Sequence, residues 1–406
     1  MPGISLRFGF GRDVKLLIAS MGIASLAGSF TRVVQGIYLA MLGLSPVLIG
    51  LLASLALIAS ALRNVIFGVL SDKIGRRGVL FVVFLTSVAY NVIYFFARDY
   101  PLFVLAAIIG GAGGEGFGGY VEGAFLADKA GDRKRTLAFS VQYFVASSFA
   151  AVGSFATGLP EAASQTLGIP LLDSIRLFYA LQAVLCFGAS LLILAVKDTP
   201  RRGEGRKERY LSAESRNKIL RFSVLGAVDG FGIGMIVDLF SLWFYIRFGI
   251  SIATVGYIFT ASRIVETFFY LMGLPISRRI GLISTIRVAR LGGAISVGLL
   301  PFMPTYTLAA LMYVARNSIQ HISIPLRTSY TMAVFNREER ASAASISNLG
   351  NTAAHTISST MAGYLIENVN IMLPPLISGV FVGIASQLYY VFFRNIKPPE
   401  EKKEDT

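Results

Sequence analysis

Gly68-Val69-Leu70-Ser71-Asp72-Lys73-Ile74-Gly75-Arg76-Arg77-Gly78 lies between two long apolar runs, roughly 45–70 and 78–97. Each run has about the 20 residues that a helix needs to cross a bilayer. Lys73, Arg76 and Arg77 in so short a connection hold it on the cytoplasmic side, because basic loops resist translocation. The surrounding chain of 406 residues is 54% hydrophobic and only 15% charged. Soluble chains average about 25% charged residues, so this composition belongs to a polytopic membrane protein. Cys186, the one cysteine, sits in an apolar run and leaves no disulfide framework. Arg7, Arg12 and Lys15 precede an apolar run too long for a signal peptide and without an A-x-A site, so no cleavable signal is expected.

Twelve spans are predicted at approximately 14–41, 45–70, 78–97, 101–127, 135–160, 172–197, 218–246, 250–274, 281–302, 305–330, 338–366 and 371–395. With the N-terminus placed in the cytoplasm, 28 of the 37 Lys and Arg fall in cytoplasmic segments and six lie within spans. Only Arg98, Arg176 and Arg247 fall outside. That bias is what positive-inside insertion produces. It accounts for the net charge of +14 without nucleic acid as a partner, and it places both termini in the cytoplasm. The longest polar interval, with Arg201, Arg202, Arg206, Lys207 and Arg209, divides the chain. The expected organisation is a six-helix bundle over 1–197, a basic linker over 198–217, a second bundle over 218–396 and a charged tail over 397–406. A linker this basic can lie against anionic lipid.

The two halves repeat. A shift of 206 sets Gly43 and Gly50 on Gly249 and Gly256, and Ile74-Gly75 on Ile280-Gly281; a shift of 205 sets Asp132–Ser140 on Arg337–Ser345. The pattern G-x-L-x-D-x-x-G-R-R from Gly68 to Arg77, between a second and a third span, resembles the loop signature of the major facilitator superfamily. The resemblance covers nearly the whole chain. It implies twelve transmembrane helices in two pseudo-symmetric halves that alternate access about a midplane site. The second copy of the signature is degraded, with Arg278 where Asp72 has its counterpart.

An ionisable side chain in hydrocarbon costs at least about 2.5–3.5 kcal/mol and therefore faces a partner or a wet cavity. Thirteen such residues fall within the spans: Arg32, Arg63, Glu115, Glu122, Asp229, Asp238, Arg263, Glu266, Arg290, Arg316, His321, Arg327 and His355. The resemblance implies that helices 1, 4, 7 and 10 line the cavity, and eight of the thirteen lie on these. By depth, Glu115, Arg263, Glu266 and Arg316 fall near the midplane. Asp229 and Asp238 flank the middle of helix 7, with Arg32 in the outer half of helix 1 and His321 on helix 10. These eight form the expected substrate and proton cavity. Glu122 and Arg327 lie near cytoplasmic ends and, with Gly68, Asp72, Gly75, Arg76 and Arg77, form the expected gate. Asp72 can accept hydrogen bonds at the N-terminus of helix 11, and Arg76 and Arg77 can pair with Asp128 or Asp132.

A carboxylate in a low dielectric tends to hold its proton, which makes Glu115, and after it Asp238, a candidate proton carrier. The run Gly110–Gly119 lacks the preceding strand and the Gly-Lys-Ser/Thr end of a phosphate loop, so it reads as close helix packing. The arginine that drug/proton antiporters of the family carry on helix 4 is missing near Ala106 and Ala107, and Gly158-Leu159-Pro160 matches their helix-5 motif only in part. Two histidines and one cysteine leave no metal cluster or Cys/His pair. No cofactor, metal or enzymatic activity is expected. The resulting reading is a monomeric secondary active transporter of a small organic solute in the plasma membrane, coupled to protons or another ion, leaning to efflux. An organic-anion carrier using Arg32, Arg263 and Arg316 is the alternative. Acids neutralised by arginines would weaken the efflux reading. A non-transporting receptor on the same scaffold would need neither latch nor proton carrier.

Overall fold

The computed structural model describes residues 10–110, 119–198, 213–334 and 340–394. Among the described residues every regular element is helical. Helices α1 (Arg12–Met41), α2 (Pro46–Ile74) and α3 (Arg76–Phe96) follow the first three expected spans. α4 (Tyr100–Gly110) opens the fourth, and α5 (Gly119–Phe155) carries its end and most of the fifth. α6 (Leu159–Leu167) leads into α7 (Leu171–Leu194), the sixth. In the second half α8 (Ala213–Gly234) and α9 (Phe240–Phe248) share the seventh span. The eighth to twelfth are α10 (Ile252–Ile280), α11 (Leu282–Leu299), α12 (Tyr306–Val334), α13 (Arg340–Asn368) and α14 (Leu373–Phe393).

The expected loop between the fourth and fifth spans is helical instead, inside α5. A straight helix would separate Gly123 from Phe139 by about 24 Å at ~1.5 Å per residue. A Cβ on Gly123 would nevertheless lie 3.8 Å from the Phe139 ring. The chain therefore doubles back between them, as antiparallel fourth and fifth spans require.

Among the described residues, eight helical stretches are long and apolar enough to cross a membrane. α10, α12 and α13 have 29 residues each, ample length for a bilayer, but are more polar. These are the helices that bear Arg263 and Glu266, Arg316 and His321, and His355.

Packing divides the chain into two compact units, Met1–Arg32 with Ala59–Glu204 and Val33–Ile58 with Gly205–Thr406. In the first, Val14, Leu17, Ile18 and Met21 of α1 share a core with Val79, Leu80, Val83 and Phe84 of α3, Phe125 and Leu126 of α5, and Ala189 and Ile193 of α7. Lipid offers no hydrophobic drive for helix association, so small residues and hydrogen bonds set these contacts. A Cβ on Gly153 would overlap the Leu26 carbonyl. Ser29 and Ser154 hydrogen-bond at 2.7 Å beside that approach, and Thr31 Oγ1 donates to Gln182 Oε1 at 3.0 Å.

In the second unit α8 packs along α13, α11 along α14 and α12, and α10 along α12. Ile219, Phe222 and Leu225 of α8, Leu326 and Tyr330 of α12, and Tyr389 and Phe393 of α14 form its core. The N-terminal part of α2 joins this unit against α13. Ser54 Oγ donates to the Thr356 carbonyl at 2.6 Å, and Val47 N–H donates to Glu367 Oε2 at 2.9 Å.

Two devices shape the helices near the buried charges. The seventh span breaks after Gly234 into a short 3-10 turn, Val237–Leu239, before α9. The break follows Gly230, Gly232 and Gly234, and its freed amides are taken up locally, Met235 to Phe231, Ile236 to Ile233 and Leu239 to Ile236. Local tightening of this kind lets a broken helix persist in hydrocarbon. In α12, Pro325 has no N–H for the His321 carbonyl one turn earlier, which weakens the helix at that level.

Candidate functional site

Residues three and four apart share a helix face. On α10 these are Phe259, Ser262, Arg263 and Glu266; on α12, Tyr313, Arg316, Asn317 and His321. The packing of α10 on α12 turns the two stripes into one polar network. Glu266, 4% exposed, accepts from Ser262 Oγ at 2.6 Å through Oε1. Its Oε2 lies 3.5 Å from Arg263 Nη1 and 3.3 Å from His321 Nδ1. Asn317 Nδ2 donates to Ser262 Oγ at 2.9 Å, and Arg316 Nη1 donates to Asn317 Oδ1 at 2.5 Å. The chain of bonds thus runs from one guanidinium through an amide and a hydroxyl to a carboxylate that a second guanidinium and an imidazole also face.

Arg316, 8% exposed, is held differently from Arg263. Its guanidinium stands 5.4 Å from the Phe240 ring centroid, a cation–π arrangement. Tyr313 packs against Phe240, Phe244 and Phe259 with centroids 4.8, 5.8 and 4.9 Å away. One end of the network is therefore aromatic and the other ionic.

A second charge cluster joins α8, α11 and α12. Asp229 is ion-paired to Arg290 Nη2 through Oδ1 and lies 3.3 Å from Arg327 Nη2 through Oδ2. Asp229 and Arg290 are buried, whereas the Arg327 side chain keeps 32% of its surface. A buried carboxylate with two guanidiniums has its desolvation offset, and removing one partner of such a pair costs about 3–5 kcal/mol. A third cluster sits at the break in the seventh span. Asp238 Oδ2 accepts from Ser359 Oγ at 2.5 Å and lies 2.9 Å from His355 Nε2. Ser359 Oγ also reaches the Gly234 carbonyl at 3.4 Å, so α13 supports the broken span from the side.

In the first unit the ion pairs among the described residues are partly exposed. Arg76 at the start of α3 pairs with Asp128 of α5, and Lys129 with Asp13 at 2.9 Å. Gly75 joins α2 to α3 with φ +100°, a region that favours glycine, and a Cβ there would stand 2.7 Å from Asp198 Oδ2. Gly68 has open space around its Cα and Arg77 is half-buried. Arg63 Nη1 donates to the Ile108 carbonyl. Arg32 is half-buried in α1, and Glu122 is buried in α5. Glu115 and the side chain of Asp72 lie outside the described residues.

The structure thus brings Arg263, Glu266, Arg316 and His321 together, joins Asp229 to Arg327, and sets Asp238 apart from both groups. Arg290 reaches Asp229 from α11, the ninth span. Its signal in the sequence is a charge in an apolar span that has to find an opposite charge. Ser262, Asn317 and Ser359 carry no such signal, since serine and asparagine in a span are unremarkable until a neighbour faces them.

Two compact units of membrane-length helices, the second enclosing a buried ion pair, describe a polytopic membrane protein. The profile described as Major Facilitator Superfamily matches residues 17–319, and the chain belongs to that family of membrane transporters. An uncharacterized membrane protein of Saccharomyces cerevisiae is 20% identical over 431 residues, covering 97% of this chain and 96% of its own. Among solved structures, a substituted form of the nucleoside transporter NupG has a TM-score of 0.76 at 14% identity, covering 94% of this chain and 100% of that one. The xylose transporter XylE from E. coli in an inward open conformation has a TM-score of 0.73 at 16% identity, covering 96% and 98%. A bacterial homologue of the human lysosomal transporter Spinster, inward-facing and occupied, has a TM-score of 0.71 at 14% identity, covering 94% and 96%. At these identities the likeness is one of fold.

Proposed function

We propose that this chain is a proton-coupled secondary active transporter of a small organic solute. Its halves, 1–197 and 218–396, alternate access about the network of α10 and α12, in a plasma membrane with both termini cytoplasmic. The observation that carries this reading is Glu266, a carboxylate 4% exposed that faces both Arg263 and His321. A proton arriving on either acceptor changes the charge of the network, and solute binding can change it back. Gating falls to Gly68, Asp72, Gly75, Arg76, Arg77, Glu122 and Arg327, with Arg76–Asp128 as the contact that supports it. Export of lipophilic cations is supported less well, because Glu266, Asp229 and Asp238 each face a cationic or imidazole partner.

Proton movement in everted vesicles, followed with a pH-sensitive dye, tests the reading. The panel holds lipophilic cations, neutral drugs and small organic anions. Solute-triggered proton flux in the wild type, lost in Glu266→Gln, is the expected result. Flux that survives in Glu266→Gln and His321→Asn but disappears in Glu115→Gln moves the carrier to α4–α5. Solute uptake with no proton flux in the wild type removes proton coupling.

A further inference from the structure

Glu266 is the one carboxylate of this network among the described residues, and Arg263 and His321 already face it. Arg316 remains, more than nine-tenths buried, with the neutral amide of Asn317 as its hydrogen-bond partner. Its Nε has no hydrogen-bond partner among the described residues. The neighbouring Asp229 is already shared by Arg290 and Arg327. Burying an uncompensated guanidinium costs several kcal/mol. A chain that retains one has a use for an anion there.

We infer that Arg316 is the anchor for the carboxylate of a small organic anion, with Asn317 beside it and Phe240 and Tyr313 against the apolar body. This rests on reading the network as the transport site, and it names the class of solute. Three features select a carboxylate. A guanidinium presents a planar fork of donors that matches a carboxylate in two hydrogen bonds. The single positive charge of Arg316 suits a monoanion better than a phosphate dianion. The aromatic side, Phe240 and Tyr313 with centroids 4.8 Å apart, suits a ring or short chain rather than a fully hydrated ion. Binding would also release Arg316 from Asn317, free that amide to turn on Ser262, and so alter the hydrogen bond that Ser262 gives Glu266. Anion and proton are thereby linked through four named side chains.

The test is binding to the purified full chain in detergent, with no transport step. Trp243 is the one tryptophan and lies three residues after Phe240, so its fluorescence reports the site. Benzoate is compared with benzamide, its uncharged analogue of the same shape, and with inorganic phosphate. Saturable quenching by benzoate, with benzamide at least about tenfold weaker, is expected, since a charge-assisted pair is worth that factor or more. Arg316→Gln should abolish the benzoate response and Arg316→Lys should keep part of it. Equal responses to benzoate and benzamide would overturn the assignment, and so would a response to phosphate alone. Both comparisons use the wild type and stand even if Arg316→Gln fails to fold. Benzoate binding without proton flux in vesicles would remove the coupling but leave the anion site. Proton flux driven by neutral solutes, with no benzoate binding, would do the reverse.

Discussion

The ion pairs of the two units are made of the same side chains and do different things. Arg76 at the start of α3 meets Asp128 of α5 with 28% and 37% of their side chains exposed. Asp229 and Arg290 meet inside the second unit with 2% and 6% exposed. Exposed pairs contribute roughly 0–1 kcal/mol, because water and salt screen them. A buried pair is a commitment, since neither member can lose the other cheaply. The exposed pair of the first unit can separate at little cost, whereas the buried charges of the second cannot part without a replacement partner.

The largest expected effect breaks the buried side of that comparison. Arg290→Leu leaves Asp229 with the half-exposed Arg327 and should destabilise the detergent-purified protein by about 3–5 kcal/mol. The double variant Asp229→Asn, Arg290→Leu should recover most of this, because both charges are gone. Thermal unfolding of the two variants decides it, and equal losses would mean the pair is not coupled. Next comes His355→Leu, which removes a partner of Asp238 at 2.9 Å but leaves Ser359. A loss of about 1.5–3 kcal/mol is expected, the usual range for a hydrogen bond to a charged group. Gly153→Val is expected to cost about 1–3 kcal/mol by overpacking α5 on the Leu26 carbonyl of α1. It separates packing from charge in the first unit. Arg76→Ala should cost at most about 1 kcal/mol, and raising the salt concentration in the wild type should erase the difference. A loss as large as that of Arg290→Leu would place Arg76–Asp128 in the buried class and end the contrast.

Much of this was legible in the chain. The stretch from Gly68 to Arg77, the uneven distribution of Lys and Arg, and the half-repeat lead to the fold before any coordinate. So does the list of thirteen ionisable residues, which contains all the charged members of the three buried clusters. Their pairing was less accessible. Glu266 and Arg263 sit one turn apart and could be joined from spacing alone. Asp229 and Arg290 are 61 residues apart on different helices, and only packing unites them. The break in the seventh span follows from alternate glycines, Gly230, Gly232 and Gly234, whose spacing also reads as a close-packed face. Glu115, the expected proton carrier from its depth among glycines, lies outside the described residues.

The alliance of α2 with α13 has a consequence for biosynthesis. Ser54 and Thr356 are 302 residues apart in the chain. At a synthesis rate of about 5–20 residues per second, the N-terminal part of α2 waits roughly 15–60 s for its partner. During that interval Gly50 and Ser54 stand in lipid or against the insertion machinery without the carbonyls of Ser359 and Thr356 to meet them. This first hairpin is therefore made long before the helix that completes it.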